Sequence, residues 1–236
     1  MFKLRNHQEK TIDVMKQNNK GQIIVPTGGG KTICMIKDTQ REFNSCDWDV
    51  ILSEPDRKTI VIVAPRILLS QQLCEDFVKY LDTHPMLQYK VLHVHSGETH
   101  HQSTTKSDAI LQWSEDNYRF NKLIFTTYHS LNRIQEADIE VDTIYFDEAH
   151  NSVQKNFIEP VEYHSMYAKR CYFFTATPKH SKTPYKIGMN DEDIYGKVLM
   201  NVPAPKLVEE GVILPPKVLI KEIDVVDDSR HSWEKD

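Results

Sequence analysis

The chain has 236 residues, enough for one large α/β domain or two small ones, and its 39% hydrophobic and 27% charged residues are ordinary for a soluble protein. No apolar run approaches the ~18 residues that span a bilayer, and Met1-Phe2-Lys3-Leu4-Arg5-Asn6-His7 lacks the apolar core of a signal peptide, so a membrane or secreted protein is not expected. A net charge of −5 excludes a global attraction to nucleic acid but leaves room for a local basic groove. Cys34, Cys46, Cys74 and Cys171 are widely spaced without a CxxC pair; they read as reduced, partly buried thiols of a cytoplasmic (or nucleoid or nuclear) protein, not as a disulfide frame or zinc site.

In chain order, residues 5–18 place Ile12, Val14 and Met15 among polar residues, a short helix. Gln22-Ile23-Ile24-Val25 is an apolar strand, and a helix follows over 31–42. Between them lies Pro26-Thr27-Gly28-Gly29-Gly30-Lys31-Thr32. Glycines let a backbone curl so that its N–H groups face an anionic ligand, and the helix beginning there adds its positive dipole end. This strand, glycine loop and helix suit a bound polyphosphate: Lys31 would reach the β- and γ-phosphates and the Thr32 hydroxyl would ligate Mg²⁺. The strict pattern asks for glycine where Val25 stands.

Residues 43–58 are a polar excursion, and Thr59–Ala64 is apolar on both faces, as a buried parallel strand is. Pro65 ends it, and Leu68, Leu69, Leu73, Phe77 and Leu81 mark a helix. A strand over 90–95, a polar stretch, a helix over 106–117 and a strand over 123–127 come next. Thr143–Phe146 is a strand leading into Asp147-Glu148-Ala149-His150, and Cys171–Thr175 a strand leading into Ala176-Thr177-Pro178. The alternation predicts an α/β fold with a mainly parallel sheet and helices on both faces. Ligands of such sheets bind beyond the carboxyl ends of the strands, where every one of these polar segments sits. Asp147, at a strand tip, is placed to hold Mg²⁺ on nucleotide phosphates, and Glu148 to orient or deprotonate the attacking water.

With these residues in this order the chain resembles the first RecA-like motor domain of a superfamily 2 helicase or translocase with a DEAH box, over about residues 3–225. The family's own phosphate-loop variant accounts for Val25. The resemblance implies a RecA-like P-loop fold and the cofactors ATP and Mg²⁺. It makes Lys31, Asp147 and Glu148 catalytic, and Thr27, Gly28, Gly29, Gly30, Lys31 and Thr32 nucleotide-binding, with Thr32 and Asp147 on the metal. Leu4–Gln8 resembles the adenine-reading segment, where Gln8 would bond the base edge and Arg5 lie near it. Ala64–Gln72 and Phe125–Leu131 resemble nucleic-acid motifs, which implies contacts from Arg66, Thr127 and Tyr128; Tyr128 would stack on a base or sugar. Thr175-Ala176-Thr177-Pro178 resembles the motif linking ATP state to nucleic-acid grip, with Thr175 and Thr177 bonded to His150. Leu207–Pro215 resembles the stretch before a last strand, here 217–223.

His93, His95, His100 and His101 form another cluster, expected on a loop near the nucleic-acid side or in solvent, since no cysteine is near to complete a metal site. The family's second RecA-like domain supplies a positive finger, and no segment after residue 225 can do so. Residues 226–236 read as the start of a linker, so the chain reads as an excised first domain, or as a short form completed by a partner. Loss of such an arginine costs on the order of 10³–10⁵ in turnover, so weak hydrolysis and a monomeric fragment are expected. The Pro-Thr-Gly-Gly-Gly loop looks more like restriction and repair motors than RNA helicases, which favours DNA as partner. An RNA helicase domain and a nucleotide-gated binding module without efficient hydrolysis are the alternatives.

Overall fold

The computed structural model describes residues 3–45, 57–183 and 185–215. An eight-stranded sheet forms its centre, and every pairing is parallel. The elements are α1 (Asn6–Gln17), β1 (Lys20–Ile24), α2 (Lys31–Asn44), β2 (Thr59–Ala64), α3 (Ile67–Leu81), β3 (Tyr89–Val94) and β4 (Gln102–Ser103). Then follow α4 (Ser107–Asp116), β5 (Asn121–Thr127), α5 (Leu131–Glu136), β6 (Thr143–Phe146), a 3-10 turn (Ala149–Asn151), α6 (Ile158–Tyr167), β7 (Arg170–Thr175), α7 (Glu192–Tyr195), β8 (Val198–Asn201) and α8 (Ala204–Glu209). The strand order is β4-β3-β5-β2-β6-β7-β1-β8.

Side chains alternate across a strand, so each central strand feeds two cores. Ile60, Ile62 and Ala64 of β2 meet Met35 and Phe43 of α2 and Phe77 and Leu81 of α3 on one face. Val61 and Val63 meet Trp113 of α4, Ile134 of α5 and Val161 of α6 on the other. All six residues of β2 are buried, the reason its sequence is apolar without alternation. The RecA-like expectation of helices on both faces is met, and the sheet is wholly parallel among the described residues. Cys34, Cys74 and Cys171 are buried free thiols, while Cys46 lies outside the described residues. No helix of the described residues is long and apolar enough to cross a membrane.

The eighth strand differs from expectation. It is Val198–Asn201, which pairs with β1 at the sheet edge. It is four residues long, with Leu199 and Met200 partly buried against the core and Val198 and Asn201 exposed. The expected strand 217–223 and the linker 226–236 lie outside the described residues.

One buried ionic group ties α2 to the sheet. Asp38 of α2 is fully buried. The Arg170 guanidinium, at the start of β7, donates to both its oxygens at 2.9 and 3.1 Å. Tyr145 of β6 donates its hydroxyl to the same carboxylate at 2.7 Å, and Arg41 adds a bond at 2.6 Å. Arg170 also reaches the Met15 carbonyl at 3.1 Å, which brings in α1. These contacts anchor the helix that opens with Lys31 and the strand that ends before Asp147.

Candidate nucleotide site and nucleic-acid face

The adjacent strands β6, β7 and β1 bring three polar tips together at their carboxyl ends. The loop after β1 leaves the sheet level with β7: Val25 N–H bonds the Thr175 carbonyl at 3.0 Å. It then turns on itself, with Gly29 N–H on the Pro26 carbonyl at 3.0 Å. Gly28 and Gly30 have φ of +78° and +86°, where only glycine sits without strain. Gly29 is needed for space, because a Cβ there would meet Val25 Cγ1 at 2.5 Å. Gly30 ends the loop as the N-cap of α2, whose first N–H groups therefore open toward the strand tips.

The segment before α1 straps this loop. His7 Nε2 lies 2.7 Å from the Gly29 carbonyl. Gln8 accepts the Arg5 N–H at 2.9 Å and turns its amide nitrogen toward the same carbonyl at 3.4 Å. A cavity of about 710 Å³ opens beside Arg5, Gln8, Gly30 and Thr32, walled by Ile33, Ile36 and Tyr80. Sequence reasoning missed both His7 and Tyr80. His7 stands inside the segment quoted for Arg5 and Gln8 and could have been noticed; Tyr80 reaches the pocket only because α3 packs on α2.

Lys31 is 8% exposed, with Nζ 3.4 Å from the Val25 carbonyl and 3.4 Å from Glu148 Oε1. Asp147 continues the β6–β2 pairing through its N–H on the Val63 carbonyl at 2.8 Å. Burial, then repulsion from Glu148, pushes the Asp147 carboxyl up to about 6, and Lys31 pulls the other way. Glu148 is held at φ 45°, ψ 51°, a left-handed conformation that costs a non-glycine residue on the order of 1–3 kcal/mol. Thr32 and Asp147 offer the oxygen donors that Mg²⁺ takes, and Mg²⁺ commonly uses one or two protein ligands beside phosphates. Among the described residues no group of three or more His, Cys, Asp or Glu is arranged to hold a metal.

His150 Nδ1 lies 3.1 Å from Thr175 Oγ1 and 3.5 Å from Glu148 Oε2. Burial holds the His150 pKa below its usual value, helped by Lys179 and Lys31 and opposed by Glu148. Thr175 Oγ1 also accepts the Thr177 N–H at 3.2 Å. Thr177 therefore joins through its backbone, and the expected bond from its own hydroxyl to His150 is not among its contacts. Thr27 lies exposed at the loop's outer turn.

The nucleic-acid expectations divide. Arg66 is exposed as the N-cap residue of α3, free to meet a phosphate. Tyr128 is not a stacking platform: it is 1% exposed, its ring packs against Phe146 and Phe157, and its hydroxyl donates to the Asp147 carbonyl at 2.9 Å. A buried phenol seeks a buried acceptor, and Tyr128 finds one directly beneath the acidic tip. Thr127, at 4% exposure, likewise presents no face to a strand. The histidines also need correction. His93 and His95 are buried at 1% and 2%, with Nδ1 and Nε2 3.0 Å apart. Burial, then His95 and His101, lowers the His93 pKa to about 4. His100 and His101 alone are exposed.

The comparisons agree with this fold. A Type ISP restriction-modification enzyme, LlaGI, solved with a DNA substrate mimic, superposes with a TM-score of 0.70 at 24% identity over 89% of this chain and 21% of its own. The related LlaBIII bound to DNA gives 0.70 at 23% over 89% and 16%. The Hef helicase domain of Pyrococcus furiosus gives 0.56 at 20% over 83% and 37%. The chain thus spans well under half the length of each of these relatives. No curated protein matches it. Residues 1–180 match the family described as the res subunit of Type III restriction enzymes, and the chain belongs to that helicase-type family.

Proposed function

We propose that the chain is the ATP-binding motor domain of an ATP-dependent DNA helicase or translocase, which couples hydrolysis to movement along DNA. The observation that carries this is the meeting of the β1 and β6 tips: a glycine loop opening α2, Lys31 within 3.4 Å of Glu148, and Asp147 beside them. Loop and helix N–H groups receive the phosphates, and the Lys31 ammonium shifts from Val25 and Glu148 to the β- and γ-oxygens. Gln8 and Arg5 meet the base at the mouth of the 710 Å³ cavity, against Ile33, Ile36 and Tyr80. Thr32 and Asp147 would hold Mg²⁺, which would supply charge neutralisation for the phosphates. Glu148, released from Lys31, orients and deprotonates the attacking water. His150 and Thr175 join the acidic tip to the β7 tip, so a change at one is felt at the other.

The motif is read as a DEAH box, Asp147 to His150. Arg66 supplies a phosphate contact. DNA is favoured over RNA by the loop sequence and by the DNA-bound relatives. A second RecA-like domain, in cis through a linker that starts at residues 226–236 or from a partner, supplies the opposing wall of the cleft. Lys31→Ala should abolish ATP binding. Glu148→Gln should keep binding and remove the residual hydrolysis; equal hydrolysis by parent and variant would show that Glu148 has another role.

A further inference from the structure

A second basic surface lies beyond β7, outside every segment assigned above. Residues 179–183 and 185–189 belong to a loop closed at its base: Met189 N–H bonds the Lys179 carbonyl at 2.7 Å, and Ser181 N–H bonds Asn190 Oδ1 at 2.7 Å. Gln22 of β1 holds the Met189 carbonyl at 2.8 Å, fastening the loop to the sheet. The loop and the segment after the acidic tip enclose a groove of about 650 Å³. Val153, Ile158 and Ile187 form its apolar floor, and Lys155, Lys179 and Lys186 stand on its rim. Lys182 is exposed on the same loop. Among the described residues none of these four lysines has a carboxylate partner, although the chain carries a net charge of −5. Asp191, the nearest acid in sequence to this loop, turns its carboxylate to cap α7. Tyr185 is 97% exposed, an aromatic ring left in water beside the lysines.

Unpaired cations around an apolar floor with an open aromatic face are what a single strand of nucleic acid binds: ammonium groups follow the phosphates and the ring takes a base. A peptide with an acidic, apolar face would use the floor but gains nothing from a fully exposed ring. We propose that the 179–188 loop, with Lys155, is a second single-strand DNA contact, in which Tyr185 stacks on a base and Lys155, Lys182 and Lys186 meet the backbone. The loop follows β7, two strands from the β2 tip that carries Arg66, about 10 Å away by strand spacing. It begins four residues after Thr175, so a bound strand would press on the tip that contacts His150. The inference rests on the DNA-motor reading and adds a contact to it.

The test is anisotropy of a fluorescent dT₂₀ oligonucleotide on the whole chain from 50 to 200 mM salt. Lys155→Ala/Lys182→Ala/Lys186→Ala should reduce the slope of log K against log salt by about 2, and the corresponding Lys→Arg triple should keep it. Tyr185→Ala should weaken binding about tenfold with the slope unchanged, and Tyr185→Trp should restore it. Thermal melting and ATP binding should stay at parental values, since all four side chains are exposed. If Arg66→Ala weakens dT₂₀ binding while the lysine triple and Tyr185→Ala bind as the parent does, the loop contact is wrong and the motor reading stands. If those loop variants instead change the sedimentation mass, the surface joins copies of the chain and the proposal is overturned. If the parent binds ATP but neither dT₂₀ nor U₂₀, the nucleic-acid reading itself fails and takes the loop contact with it. If U₂₀ binds and dT₂₀ does not, and the loop variants lose U₂₀, the loop contact holds and only the choice of DNA falls.

Discussion

Replacing Arg170 by Met keeps most of the side-chain volume and removes the guanidinium that faces Asp38. Asp38 is fully buried and the Arg170 side chain only 11% exposed, so solvent cannot take over the lost bonds. Those bonds are the 2.9 and 3.1 Å contacts to Asp38, a 3.0 Å ion pair with Glu42, 2.7 Å to the Tyr172 hydroxyl and 3.1 Å to the Met15 carbonyl. Breaking one side of a buried pair costs about 3–5 kcal/mol. Asp38 retains Tyr145 at 2.7 Å and Arg41 at 2.6 Å, which places the cost near the lower end, about 3 kcal/mol. Urea unfolding followed by circular dichroism should show the midpoint falling by about 1 M at unchanged m, and the melting temperature by roughly 10 °C. Asp38→Asn/Arg170→Met should cost less than the sum of the single changes, because no buried charge is then left alone. A loss below about 1 kcal/mol for Arg170→Met, or strict additivity in the double variant, would refute the claim that this group ties α2 to β6 and β7.

Tyr128→Leu should lower stability by about 2 kcal/mol while the folded protein keeps the parental DNA affinity, since the ring is internal; a tenfold drop in anisotropy titrations would return Tyr128 to the nucleic-acid face. Gly30→Ala should abolish ATP binding in calorimetry, because the φ of +86° strains alanine and the new Cβ overlaps the Gln8 amide; parental affinity would contradict the loop geometry. Burial lowers the pKa of His164, 2% exposed, to about 4, while the unfolded residue titrates near 6.5. The native state therefore binds fewer protons between these values, and the stability fully present above pH 6.5 is lost as pH falls toward 4. At pH 5 the His164 loss is about 2 kcal/mol, read as the difference between parent and His164→Gln in urea midpoints, because Asp147 with its raised pKa works in the opposite direction. Equal pH dependence in parent and variant would refute it.

The phosphate loop was legible because its chemistry is local: strand, three glycines, Lys31 and Thr32 are consecutive. β2 was legible because burial on both faces leaves an unbroken apolar run. Tyr128 was misread because its fate depends on Phe157 and on the Asp147 carbonyl, two strands away across the sheet and 19 residues on in sequence. His93 and His95 look like surface histidines by residue type, but they lie at and just past the buried end of β3. The Asp38–Arg170 pair, 132 residues apart, has no sequence signature at all. Tyr80 is half-buried at the cavity beside Gln8 and Gly30 by the packing of one helix on another, which periodicity marks only as an apolar stripe. Local chemistry thus disclosed the polar strand tips, and long-range packing decided which neighbours surround them.

The most direct test of the account is ATP turnover by the chain with single-stranded DNA, duplex DNA and RNA added in turn, with Glu148→Gln run beside it. The account predicts slow turnover that rises with DNA and disappears in Glu148→Gln. Stimulation by RNA alone, or equal turnover in Glu148→Gln, would contradict it.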